Sequence, residues 1–162
     1  MNYSNFINKA KLLIESCRPK QWSKNLLCTS ALIITPVSIE QNFFNIILST
    51  ISFILASSFI YILNDNIDYQ LDKNHPVKKF RPIPSGRLKK SDSLIFGILI
   101  LFLSLFLAFN INNLVLLTIS SYIILQLIYC IWGKNKSIID IYFIASGFIL
   151  RAYIGVAAMN TY

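Results

Sequence analysis

The chain has 162 residues, of which 55% are hydrophobic and only 14% charged, yet its net charge is +8. Soluble domains carry about a quarter of their residues as charges, so a water-soluble globule is excluded, and there is no separate soluble domain to present a basic face to nucleic acid. The charges are also segregated. No basic residue lies between Lys24 and Lys73, and no charge of either sign between Ser93 and Gly133. Each of these runs is long enough for two membrane passages of roughly 20 residues.

The first 24 residues read as an amphipathic helix on the membrane surface. Phe6, Ile7, Ala10, Leu13 and Cys17 recur at helical spacing, while Lys9, Lys11 and Glu15 fall on other faces. There is no continuous apolar core followed by small residues, so the segment does not read as a cleaved signal. Residues 25–162 read as an all-α transmembrane bundle of five spans. These are Asn25–Ile39 with a bend at Pro36, Phe43–Leu63, Leu94–Phe109, Leu114–Trp132 and Ile138–Met159. The links Ile39–Asn42 and Asn110–Asn113 are short and polar, as antiparallel neighbours require. Every Lys and Arg except Arg151 falls before span one, between spans two and three, or between spans four and five. The positive-inside rule then puts the N-terminus and the loop 64–92 in the cytoplasm, in a multi-pass protein of the cell membrane.

That loop holds the chemistry. Asn64, Asp65, Asp68 and Asp72 stand at i, i+1, i+4 and i+8, within an arc of roughly 100° on a continuing helix. Three carboxylates at a helix C-terminus repel one another and oppose the macrodipole, so they call for cations. Oxygen donors of this kind suit Mg²⁺, which takes one or two carboxylates and completes its shell with water and substrate phosphates. Lys78, Lys79 and Arg81 follow at once and can hold the same phosphates from the other side. Pro76, Pro82, Pro84 and Gly86 stiffen and turn the segment. The alternative is a solvated loop in which acids and bases merely pair. His75 is the only histidine and Cys17, Cys28 and Cys130 lack ligand spacing, so no zinc site is expected and the cysteines read as packing residues.

Arg151 lies well inside span five, where an arginine costs at least about 2.5–3.5 kcal/mol on insertion scales. Asp140 is about 16 Å away along the helix axis, too far to pair. Arg151 therefore needs another helix, a water-filled cavity or a bound anion. The small residues of Ala145–Phe148 allow close helix approach.

The stretch NDNIDYQLD resembles the NDxxDxxxD motif of the UbiA superfamily of intramembrane prenyltransferases. RPKQWSKNLL before span one, YILNDNIDYQLDKNHPVKKFRPIPSG after span two and IIDIYFIASGFILRAYIGVAA in span five are similar to its decaprenyl-phosphate phosphoribosyltransferase branch. The resemblance covers nearly the whole chain. It implies a Mg²⁺-dependent transfer from phosphoribosyl diphosphate to a polyprenyl phosphate, with diphosphate leaving. Asn64, Asp65, Asp68 and Asp72 are then the metal set, with Asp65 and Asp68 carrying catalysis. Lys24, Asn64, Lys78, Arg81, Tyr129, Lys134 and Arg151 are the candidate substrate and diphosphate ligands. The lipid phosphate is already anionic and needs no strong base, which leaves His75 a loop-ordering role. Transfer of a prenyl chain from its diphosphate to an aromatic acceptor uses the same acidic motif and is the nearest alternative. UbiA-type enzymes carry about nine spans and a second polar motif, so the resemblance implies an N-terminal half. The chain would then be a truncated reading frame, a damaged gene or one of two separately made halves whose partner polypeptide supplies the missing helices, or it would be a non-catalytic subunit. An ion-conducting role for the aspartates is disfavoured by their place at the membrane rim.

Overall fold

A computed structural model of the chain describes residues 3–34, 39–135 and 137–159, and those residues are helical with connecting turns. Four helices are long and apolar enough to span a membrane among them: Asn42–Ile67, Lys90–Ile111, Asn113–Ile131 and Ile138–Ala157. They correspond to the expected spans two to five. The expected first span is different. Pro19–Ser30 forms a 3₁₀ segment that runs into the short helix α2 (Ala31–Ile34), and Pro36 with its expected bend lies outside the described residues.

Helix α1 (Tyr3–Ser16) is amphipathic but only half docked. Leu12 and Leu13 pack against the bundle and Cys17 is buried, whereas Phe6 and Ile7 stay exposed. Arg18 ends the helix with a left-handed backbone, φ 54° and ψ 64°. That is an uncommon conformation for a residue with a Cβ. A 3₁₀ run of 12 residues is long for a geometry normally used in short pieces. Tertiary bonds hold it there. Trp22 Nε1 donates to the Cys17 carbonyl and to Ser58 Oγ (3.3 and 3.2 Å), and Asn25 Nδ2 donates to Ser57 Oγ (3.1 Å). Helix α7 (Ser137–Ala157) closes over this segment at Gly155, where a Cβ would lie 2.1 Å from the Cys28 carbonyl oxygen.

Helix α3 (Ile39–Ile67) is the central element and contacts α1, the 3₁₀ segment, α5 (Lys90–Ile111), α6 (Asn113–Ile131) and α7. The expected turn at Ile39–Asn42 is its first turn. Lipid supplies no hydrophobic drive for helix association, so close packing and hydrogen bonds do the work. Helix α5 turns a stripe of Ser93, Gly97, Ile100, Ser104 and Ala108 inward. Ser52 Oγ donates to the Ser104 carbonyl and Ser104 Oγ to the Ser52 carbonyl, each at 2.7 Å. Asn66 Nδ2 donates to Ser93 Oγ (3.0 Å) at the other end of the pair. The outward face of α5, including Phe102, Phe106 and Phe109, is exposed and suits lipid. Asn112 caps α6 by accepting from the Val115 amide (2.8 Å) and ties it to α7 by donating to the Ala157 carbonyl (2.9 Å).

Candidate active site

The α3 helix loses regularity at Asp68 (φ −84°, ψ 7°) and resumes as α4 (Tyr69–Lys73). The Asp68 and Asp72 amides still donate to the Asn64 and Asp68 carbonyls, at 2.9 and 2.8 Å, so the four-residue register survives the break. The acidic side chains nevertheless diverge. Asp65 is buried and takes Arg18 together with Arg81, whose Nη1 lies 3.0 Å away. Asp72 is also buried, with the same Arg81 Nη1 at 2.9 Å and Lys78 Nζ at 3.4 Å. Asp68 pairs with Lys134, which follows α6. Each carboxylate thus has a cation, which offsets the cost of their crowding at a helix end. Among the described residues no three His, Cys, Asp or Glu side chains stand together as a metal cage.

The loop after α4 is tightly ordered. His75 Nδ1 accepts from the Val77 and Lys78 amides, both at 3.2 Å, which gives this residue the loop-ordering part. Pro82, Ile83, Pro84 and Leu88 are buried as a plug, and Gly86 turns the chain at φ 76°. Only glycine takes that backbone without strain. The Leu88 amide closes the turn on the Pro82 carbonyl (2.9 Å).

A cavity of about 460 Å³ opens beside this cluster. Asn64, Asp68, Asp72, Lys78, Tyr129 and Lys134 line it, so six of the residues singled out from the sequence share one space. Asp65 and Arg81 stand behind it and line a second cavity. Lys24 is exposed and borders neither. Arg151 is buried away from both, donating through Nε to Asn25 Oδ1 (3.0 Å) and through Nη2 to the Tyr122 hydroxyl (3.4 Å). Its guanidinium lies 5.3–5.6 Å from the ring centres of Phe53, Tyr122 and Phe148, within cation–π range. Of the partners considered from the sequence, it has the neighbouring helices.

Residues 26–162 match the model of the UbiA prenyltransferase family. The chain belongs to this family. A decaprenyl-phosphate phosphoribosyltransferase of Corynebacterium glutamicum is 35% identical over 153 residues, covering 91% of this chain and 46% of that protein. Its counterpart in Mycolicibacterium smegmatis is 34% identical, covering 91% and 48%. The chain therefore spans about half the length of the curated relatives it matches. The solved structure of a UbiA homologue from Archaeoglobus fulgidus, bound to DMAPP and Mg²⁺, superposes with a TM-score of 0.75 at 23% identity, covering 90% of this chain and 54% of that one. The UbiA fold of the helices is thus shared with solved relatives.

In this UbiA chain three polar cavity-lining residues escaped the sequence reading, Arg18, Tyr61 and Gln126, along with the apolar Ile60 and Leu71. Arg18 is the most consequential. It bonds Asp65 across 47 positions and stacks over the Tyr61 ring at 4.9 Å. Its place in RPKQW was the only signal, and nothing local announces the left-handed backbone that aims it. The oxygens of Asn64, Asp68 and Asp72 in the cavity lining are hard donors of the kind Mg²⁺ takes. Asp65 does not border that cavity, so the set facing it is three of the four residues expected.

Proposed function

We propose that this chain forms the diphosphate-handling part of a Mg²⁺-dependent intramembrane transferase that joins a polyprenyl phosphate to phosphoribose. One observation carries the reading: Asn64, Asp68 and Asp72 line a single cavity together with Lys78, Lys134 and Arg18 at the end of an apolar helix. The carboxylates and amide oxygen suit a divalent ion, and the cations beside them suit phosphate oxygens. Asn64, Asp68 and Asp72 would hold Mg²⁺, which supplies charge neutralisation for the departing diphosphate. Lys78 and Lys134, each now paired with an aspartate, are the cations placed to take up phosphate oxygens in exchange. Tyr129 adds a hydroxyl to the same lining. A lipid phosphate oxygen attacks the anomeric carbon, the C–O bond to diphosphate breaks, and diphosphate leaves with the electron pair. No proton has to be removed from an ionised nucleophile, which is consistent with His75 serving the loop rather than the reaction.

The basic residues flanking the spans support an orientation with the N-terminus, the loop 64–92 and this cavity on the cytoplasmic side of the cell membrane. Further helices, on the same or another polypeptide, would complete the lipid side of the site. A second reading, prenyl transfer from a prenyl diphosphate to an aromatic acceptor, is favoured by the fold shared with a homologue bound to DMAPP and Mg²⁺. One experiment separates them. The chain in nanodiscs is titrated calorimetrically with phosphoribosyl diphosphate and with geranyl diphosphate, with and without Mg²⁺. Mg²⁺-dependent binding of phosphoribosyl diphosphate, weakened at least tenfold by Asp68→Asn and Lys134→Ala, is expected. Binding of geranyl diphosphate alone would transfer the assignment to prenyl transfer, and binding of neither would end the diphosphate reading.

A further inference from the structure

The second cavity, about 650 Å³, lies between α1, the start of the 3₁₀ segment and the loop after α4. Its charged lining is unbalanced. Lys11, Arg18, Lys20 and Arg81 contribute four cations against Glu15 and Asp65. Glu15 already bonds Arg87 outside the cavity (3.1 Å), and Asp65 is already shared by Arg18 and Arg81. Neither Lys11 nor Lys20 has an acidic partner among the described residues. Donors are also left over on the guanidinium groups. Arg81 makes both its ion pairs through Nη1, and Arg18 Nε is buried without a hydrogen-bond partner. A buried unsatisfied donor costs free energy, and an anion oxygen would remove that cost.

The location narrows the ligand. Asp65 lies two residues before the end of the apolar helix Asn42–Ile67, about 3 Å of axial rise, so the cavity sits at the depth where a bilayer turns polar. Ile14 in its wall is exposed, as are Phe6 and Ile7 on the same helix and Leu26 farther along the segment that begins at Pro19. Cationic side chains beside exposed aliphatic ones match a phosphate carried on hydrocarbon. We propose that this cavity binds the phosphate head of an anionic membrane lipid, through Lys11, Lys20 and the unused donors of Arg18 and Arg81. The inference does not rest on the reading of the first cavity. It makes α1 a lipid-gripping element, in contact through Arg18 with the site that faces Asp68.

Native mass spectrometry of the chain released from nanodiscs tests this. The probe is dioleoyl phosphatidic acid in a phosphatidylcholine background. The unaltered chain is expected to retain phosphatidic acid selectively. Lys11→Gln with Lys20→Gln should weaken retention roughly thirtyfold, about fivefold per lysine. Lys73→Gln with Lys89→Gln removes the same charge outside both cavities and should leave retention unchanged. Equal losses in the two double variants would reduce the effect to general surface attraction and overturn the site. Retention of added inorganic phosphate but not of the lipid would overturn the lipid assignment. Should the Gln variant fail to fold, lysine acylation of the unaltered chain decides the matter. Phosphatidic acid should protect Lys11 and Lys20 but not Lys73, and equal reactivity with and without it refutes the proposal.

Discussion

Replacing Asn25 by Ala tests how the irregular segment before α3 is held. Asn25 is 1% exposed; its Oδ1 accepts from Arg151 Nε at 3.0 Å and its Nδ2 donates to Ser57 Oγ at 3.1 Å. Losing the second bond is cheap, because Ser57 Oγ keeps its own bond to the Ile54 carbonyl at 3.0 Å. Losing the first is not. A hydrogen bond to a charged group contributes about 1.5–3 kcal/mol, and the donor left behind is buried. Arg151 keeps the Tyr122 hydroxyl and its three aromatic neighbours, so the loss stays within about 2–3 kcal/mol rather than the larger penalty of a bare buried charge. Reversible unfolding in mixed micelles, followed by far-UV circular dichroism, measures this. Arg151→Met and the double variant complete a cycle, since Met fills the space without a charge. The expected coupling between the two positions is about 1.5–3 kcal/mol. A coupling below about 0.5 kcal/mol, the level at which independent sites add, would show that Arg151 does not hold the segment and would refute the reasoning.

Gly155→Ala should destabilise the protein by about 1–3 kcal/mol, the usual range for overpacking, because the new Cβ meets the Cys28 carbonyl at 2.1 Å; an unchanged unfolding midpoint would contradict the close approach. His75→Ala removes the acceptor for the Val77 and Lys78 amides, so limited proteolysis at 76–81 should accelerate several-fold while global stability changes by about 1 kcal/mol or less. Burial pushes the Cys17 thiol up from 9.0 to about 11, against a smaller opposing effect of the Ser58 hydrogen bond. The folded chain therefore holds that proton more tightly than the unfolded chain. Its contribution to stability is complete below about pH 9 and lost between pH 9 and 11. Alkylation of Cys17 in the folded protein should stay slow at pH 9, and a rate equal to that of a free thiol would contradict the burial.

The long helices were legible because an uninterrupted apolar run has few other solutions in a membrane. The segment 19–30 was not, because Leu26, Leu27 and Cys28 read as the start of another span. Its geometry comes from Ser57, Ser58 and Arg151, and the last lies 126 positions from Asn25. The acidic motif and its cations were visible as residue types in order. Which carboxylate faces which cavity was not, because the break at Asp68 and the reach of Arg18 and Arg81 decide it. His75 could be given its loop role from the sequence, since the chemistry left it nothing else to do. Arg18 stood among five basic residues before the first apolar run with no local mark to distinguish it.

The reciprocal serine bonds between α3 and α5 have a mechanical consequence. Sliding one helix past the other by a single turn, about 5.4 Å, breaks both of them, and the Asn66–Ser93 bond fixes the same pair near the aspartates. The loop that carries Arg81 is tethered at each end to this fixed frame, so Arg81 cannot swing away from Asp65 by a hinge between α3 and α5. Any widening of the first cavity has to come from the walls that the frame does not own: Arg18 after α1, and Lys134 between α6 and α7. The two sides of the site are thus a fixed frame that holds the acids together with Lys78 and Arg81, and outer walls that bring Arg18 and Lys134. The Asp68–Lys134 contact is the latch between them.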